Sequence, residues 1–124
     1  MERIVLLIDD DFDEFQILKD VLRDCAPLYT CCWAKCAQEA YTYLHNTRPA
    51  MIFLDINMPK VNGLDCLKYL KEQSEFKDIP VILYSTAISA QTCHSAHQLG
   101  AFSSIQKTSN ILSLVGQLRA VLPN

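Results

Sequence analysis

Two short apolar runs in this chain each stop at a carboxylate. Residues 4–8 (Ile-Val-Leu-Leu-Ile) are followed by Asp9, Asp10 and Asp11, and residues 51–54 (Met-Ile-Phe-Leu) by Asp55. Bounded runs of this length, apolar without alternation, read as strands buried on both faces, the pattern of a parallel sheet. Ligands in such sheets bind beyond the carboxyl ends of the strands, so Asp9, Asp10 and Asp55 are expected to converge on one edge. Two like charges about 4 Å apart repel by roughly 4 kcal/mol at an effective dielectric near ~20. The trio therefore calls for a cation, and oxygen-only ligands favour Mg²⁺.

Two further runs point to the same edge. Residues 81–84 end at Ser85 and Thr86, which offer hydroxyls, and residues 102–106 end at Lys107, which offers an ammonium. A cation site, a hydroxyl and a fixed positive charge suit a phosphoryl group, whose oxygens need neutralising on several sides. A carboxylate can serve as the nucleophile in phosphoryl transfer. Asp55 alone of the three lacks an acidic neighbour in sequence, which assigns it as acceptor and leaves Asp9 and Asp10 to hold the metal.

Stretches of helical period separate the runs. Phe15, Leu18 and Leu22 mark a first helix, Ala37, Ala40, Tyr41 and Leu44 a second, and Leu64, Leu67 and Leu70 a third. A polar fourth, about residues 88–99, is expected to be well exposed. The clearest is the last, with Ile111, Leu114, Val115, Leu118 and Leu122 in one stripe, Ser109 as its N-cap and Pro123 at its end. Asp11 and Glu14 have capping-box spacing, which gives Asp11 a structural reading. With residues 28–33 as a further strand, five strands alternate with five helices. This predicts an α/β fold, a doubly wound five-stranded parallel sheet covered on both faces in a three-layer sandwich.

The chain's 124 residues suit one domain over 1–124, and 50% hydrophobic content is enough for a core. A net charge of −3, with no Lys/Arg cluster interleaved with aromatics, argues against a direct nucleic-acid surface. Asp9 to Asp11 interrupt the first apolar run too early for a signal or membrane segment, so a soluble, cytoplasmic protein is expected. The six cysteines form no C-x-x-C pair or zinc spacing and read as reduced thiols, Cys31 and Cys32 facing opposite sides of a strand. His94 and His97 lie three apart beside Cys93, yet two imidazoles without a carboxylate make a thin metal site, and solvated histidines are the simpler reading. Tyr29 and Trp33 read as core or edge aromatics.

These residues resemble a response-regulator receiver domain of two-component signalling, of the stand-alone chemotaxis-regulator type. Residues 7–10 (Leu-Ile-Asp-Asp) resemble the family's acidic-pair strand, and residues 54–59 (Leu-Asp-Ile-Asn-Met-Pro) with Gly63 resemble its phosphoacceptor loop. Ser85 stands where the family places its switch hydroxyl, ahead of Thr86, and Lys107 where it places its phosphate-binding lysine. The resemblance covers essentially the whole chain and implies a flavodoxin-like sheet of order 2-1-3-4-5. It also implies Mg²⁺ held by Asp10, Asp55 and the main-chain carbonyl of Asn57, with Asp9 helping through water. The phosphoryl donor would be a histidine kinase or histidine phosphotransfer protein. Phosphorylation of Asp55 would draw in Ser85 and Lys107, shift the fourth helix and fifth strand, and alter a surface read by a downstream protein target or by a phosphorylation-linked dimer. Such a domain promotes its own phosphorylation and dephosphorylation but is regulatory rather than an enzyme, and no output domain is expected in this sequence.

The chain departs from the family pattern at two places. Ser104 stands three positions before the lysine, where an aromatic is common; Phe102 is either a steric substitute for it or a core residue. Thr108 follows Lys107 where a cis-proline is common, so the bond between them is either trans, with a reshaped loop, or strained at roughly 3–4 kcal/mol. The alternatives to a phosphate-driven switch are a degenerate receiver acting as a phosphorylation-independent interaction module, or a small aspartyl-phosphate phosphatase. A flavin-binding fold is disfavoured because acidic residues stand where a phosphate loop would be needed. Asn57 and Ala87 flank the site and are expected to tune phosphate lifetime.

Overall fold

The structure is a computed structural model that describes residues 3–58 and 62–123. Strands β1 (Arg3–Ile8), β2 (Tyr29–Ala34), β3 (Met51–Leu54), β4 (Val81–Ser85) and β5 (Ser103–Gln106) alternate with helices α1 (Phe12–Cys25), α2 (Ala37–Asn46), α3 (Gly63–Glu72), α4 (Ala90–Gln98) and α5 (Ile111–Val121). The strands form one parallel sheet in the order β2-β1-β3-β4-β5. No helix among the described residues is long and apolar enough to cross a membrane.

The unbroken apolar runs are explained by a core on each face. Side chains alternate across a strand, so Leu6 and Ile8 of β1 join Ile52, Leu54 and Leu83 against α2 and α3, while Val5 and Leu7 join Phe53, Ile82 and Tyr84 against α1 and α5. Cys31 and Cys32 divide between the two faces in the same way, and all six cysteines are free thiols. Strand β1 pairs with β2 on one side and β3 on the other, with Ile8 opposite both Ala34 and Leu54. The chain direction of the crossovers reverses here, which opens a crevice just past Ile8 and Leu54. Asp9 and Asp55 are the next residues.

Several boundaries differ from the sequence expectation. Leu28 precedes β2 and is 66% exposed, because pairing with β1 begins at Tyr29 opposite Arg3. Phe102 likewise precedes β5: pairing begins at Ser103 opposite Ile82, and the phenyl ring is 62% exposed, which removes the core reading. The N-cap of α5 is Asn110, whose side chain accepts from Ser113 N, rather than Ser109; Ile111 and Leu112 in its first turn face outward. Helix α4 buries Ala96 alone, as its polar composition foretold.

Candidate functional site

Asp9, the first residue past β1, is fully buried and held at four points. Its N–H extends the ladder to Ala34 O at 3.1 Å, its carbonyl accepts from Trp33 Nε1 at 2.7 Å, its Oδ1 accepts from Asp11 N at 2.9 Å, and its Oδ2 accepts from Lys107 Nζ at 2.6 Å. Asp11 is the N-cap of α1, its carboxylate accepting from Asp13 N at 2.9 Å. The second half of the expected capping box is altered: Asp9, not Glu14, accepts the N–H of Asp11, because the tight turn out of β1 brings Asp9 closer. Asp10, the next residue in this turn, is exposed.

Asp55 continues β3 by donating its N–H to Ile8 O at 2.9 Å, and is 5% exposed. Its Oδ1 accepts from Asn57 N at 3.0 Å and its Oδ2 lies 3.5 Å from Lys107 Nζ. Oxygens of Asp9, Asp10 and Asp55 all fall within 4.8 Å of one another. The loop after Asp55 passes directly over the start of α3. A Cβ on Gly63 would overlap Ile56 Cα and lie 2.8 Å from the Asp55 carbonyl oxygen, so the glycine is required for the close approach. Pro59, named in the loop resemblance, lies outside the described residues.

Ser85 ends β4 and is 1% exposed, whereas Thr86 turns outward. The Ser85 hydroxyl oxygen accepts from Asn57 Nδ2 at 2.8 Å, which leaves its own proton free to be donated. Lys107 is carried into the site by β5. Its N–H donates to Ser85 O at 2.9 Å, and the preceding Gln106 is clamped by Gln117 of α5 through bonds of 3.0 and 3.2 Å. The Lys107 ammonium also lies 5.5 Å from the Tyr84 ring centroid, within cation–π range. No peptide bond among the described residues is cis, so the Lys107–Thr108 bond is trans.

Burial pushes the Asp9 carboxyl up to about 6, even though its bonds to Lys107 and Asp11 pull it down. Burial opposes the charge on Lys107 as well, but the hydrogen bond it donates to Asp9 and the fields of Asp9 and Asp55 outweigh it and hold the ammonium above its ordinary value. Three carboxylates set against one ammonium leave two negative charges in the crevice when all are ionised. That donor set fits a divalent, oxygen-seeking cation.

All six residues singled out from sequence, Asp9, Asp10, Asp55, Asn57, Ser85 and Lys107, thus lie at the carboxyl edge of the sheet. Trp33, Gly63 and Gln117 also shape the crevice; the sequence marked Gly63 with the acceptor loop, read Trp33 only as a core or edge aromatic, and gave no sign of Gln117. Trp33 and Gln117 reach the site through pairing register and helix packing, for which no local spacing is a signal. His94 and His97 are not part of any metal-ligating cluster among the described residues. Ser104 is exposed and borders, with Cys93, Ala96 and His97, a cavity of about 220 Å³. A larger groove of about 800 Å³ runs past Asn57, Ala87 and Thr92.

Comparison with known proteins agrees with this architecture. Residues 5–119 match the response regulator receiver domain family. The chain is 32% identical over 112 residues to a protein-glutamate methylesterase/protein-glutamine glutaminase of Pyrococcus abyssi, a match that covers 89% of this chain but 30% of the relative. It is 30% identical over 82 residues to the polar-differentiation response regulator DivK of Brucella anthropi, covering 66% of this chain and 65% of that one. Among solved structures, the chemotaxis protein CheY4 of Vibrio cholerae superimposes with a TM-score of 0.85 at 27% identity, covering 98% of this chain and 100% of the other. The chain therefore belongs to the response regulator receiver domain family.

Proposed function

We propose that residues 1–124 form a single receiver domain that accepts a phosphoryl group on Asp55 and switches a protein-binding surface in response. The observation that carries this reading is the position of Lys107, whose Nζ sits 2.6 Å from Asp9 and 3.5 Å from Asp55. One ammonium is shared between a carboxylate that has no other cationic partner among the described residues and a carboxylate placed to react. Asp55 attacks the phosphorus of a phosphohistidine on a histidine kinase or phosphotransfer protein; the new O–P bond forms as the P–N bond breaks, and the imidazole leaves. Asp10, Asp55 and the Asn57 carbonyl are the residues that would hold Mg²⁺, with Asp9 behind them. When bound, the ion neutralises charge on the phosphoryl oxygens.

The remaining steps belong to this chain's own groups. The phosphoryl group brings acceptor oxygens and about two negative charges into the crevice. Lys107 gains a charge-assisted bond to it and loosens from Asp9, while the free Ser85 proton is donated to another oxygen. Both movements pull on backbone. Lys107 is bonded to Ser85 O, and Gln106 Nε2 reaches Thr86 O at 3.2 Å, so β4, β5 and the loop leading to α4 shift as one unit. Helix α4, with little burial to hold it, is the element most easily displaced, and the surface formed by α4 and the face near Lys107 is the readout for a downstream protein or a second copy.

The test is to load the protein with Mg²⁺ and beryllium fluoride, a phosphoryl mimic, and follow backbone amides by NMR. Shifts should spread from Asp55 through residues 85–107 and be absent in Asp55→Asn. Shifts confined to the carboxylates, with α4 and β5 unchanged, would contradict the switch.

A further inference from the structure

Trp33 is the only tryptophan in the chain, and its ring is bracketed by aromatic neighbours. It stacks on Phe15 with centroids 5.7 Å apart and planes 13° from parallel, and meets Phe12 at 5.2 Å and 59°. Held by the stack on Phe15, its Nε1 donates to the Asp9 carbonyl at 2.7 Å. The β1–β2 ladder has ended by then: Ile8 pairs with Ala34, and the Asp9 N–H makes the final bond, to Ala34 O. The indole N–H supplies the donor for a ladder step that β2 no longer offers.

The consequence falls on Asp10. A peptide unit is planar, so a fixed Asp9 carbonyl also fixes the nitrogen of Asp10 and the plane from which its side chain departs. Asp9 is additionally pinned by Ala34, Asp11 and Lys107. No hydrogen bond or ion pair holds the Asp10 carboxylate among the described residues, so its direction depends on its backbone. We propose that Trp33 is a positioning residue for the cation site, aiming Asp10 at Asp55 through its bond to the Asp9 carbonyl. This rests on the metal-assisted reading of the site given above.

Mg²⁺ binding measured by isothermal titration calorimetry separates the two ideas. Trp33→Phe keeps a ring in the aromatic cluster and removes the N–H; it should bind Mg²⁺ roughly tenfold more weakly, as expected for loss of an outer-shell partner. Phe12→Leu trims the same cluster at its exposed edge, leaves the indole bond in place and should bind as the unaltered chain does. Equal affinity in Trp33→Phe, or equal loss in both variants, overturns the role of Trp33 alone. Absence of Mg²⁺ binding in the unaltered chain contradicts the metal-assisted reading as well. A second readout needs no change at Trp33: Mg²⁺ should shift its fluorescence emission in the unaltered chain and not in Asp10→Asn. Flat emission across a titration that calorimetry shows to saturate overturns the proposal.

Discussion

Lys107 and Asp9, 98 positions apart in sequence, form a 2.6 Å ion pair in which the carboxylate is fully buried and the lysine side chain is 9% exposed. The pair closes β5 onto β1 across two intervening strands. It also keeps the ammonium from committing fully to Asp55, a restraint that phosphorylation would release.

Removing the lysine strands the buried carboxylate. Lys107→Met should cost about 3 kcal/mol or more in urea unfolding at about pH 8, as expected when a buried pair loses one partner. The cost should shrink on acidification. Burial has already raised Asp9 to about 6 in the folded protein, above its unfolded value of 3.8. The folded state therefore binds the proton more readily, and because Lys107 is one of the groups that hold this carboxyl down, Asp9 protonates at a still higher pH in the variant and the penalty for its charge is relieved as pH falls. Unfolding at about pH 5 checks this, and a cost that stays constant or grows there contradicts the assignment.

Ser85 separates acceptance from switching. Ser85→Ala retains Asp55 and should still take up a phosphoryl group, but the shifts in α4 and β5 amides on loading with beryllium fluoride should fall to a small fraction of those in the unaltered chain. Undiminished shifts would hand the role to another group.

Gly63→Ala introduces a methyl group against Ile56 Cα and the Asp55 carbonyl oxygen, two backbone atoms with no side-chain freedom to yield. A loss of about 1–3 kcal/mol is expected for this overpacking. Because the displaced loop carries Asp55, phosphorylation should slow as well. Denaturant midpoint and initial phosphorylation rate together check the prediction; an unchanged midpoint would show that the loop can move aside.

The cysteines should divide by burial. Burial pushes the Cys31 thiol up to about 12 and raises that of Cys66, and both side chains lie in the core. In the native protein a maleimide should label half-buried Cys93 and Cys36 while leaving Cys31 and Cys66 unmodified until denaturant is added. Peptide mass mapping reads the result directly, and rapid native labelling at Cys31 would contradict its placement.

The parallel sheet and the placement of Asp9, Asp55 and Ser85 were legible because strands buried on both faces must be written as unbroken apolar runs, and the residue after each run is placed by where the run ends; the strand order came only from the family resemblance, and Lys107 follows a strand that is mostly polar. Edges were less legible. Leu28 and Phe102 look like strand residues by composition, and only the pairing partners Arg3 and Ile82 show that the ladders start one position later. Ser109 and Asn110 are both good caps, and a local pattern does not choose between them. The bonds of Trp33 to Asp9 and of Gln117 to Gln106 were not legible at all, since each depends on which elements become neighbours in space.

Acceptance of a phosphoryl group by Asp55 is the claim on which the rest depends. Incubation with Mg²⁺ and acetyl phosphate, followed by intact mass, should give a single acid-stable, base-labile phosphoryl adduct that disappears without Mg²⁺ and in Asp55→Asn. A folded protein that gains no adduct, or one whose adduct persists in Asp55→Asn, would contradict the account.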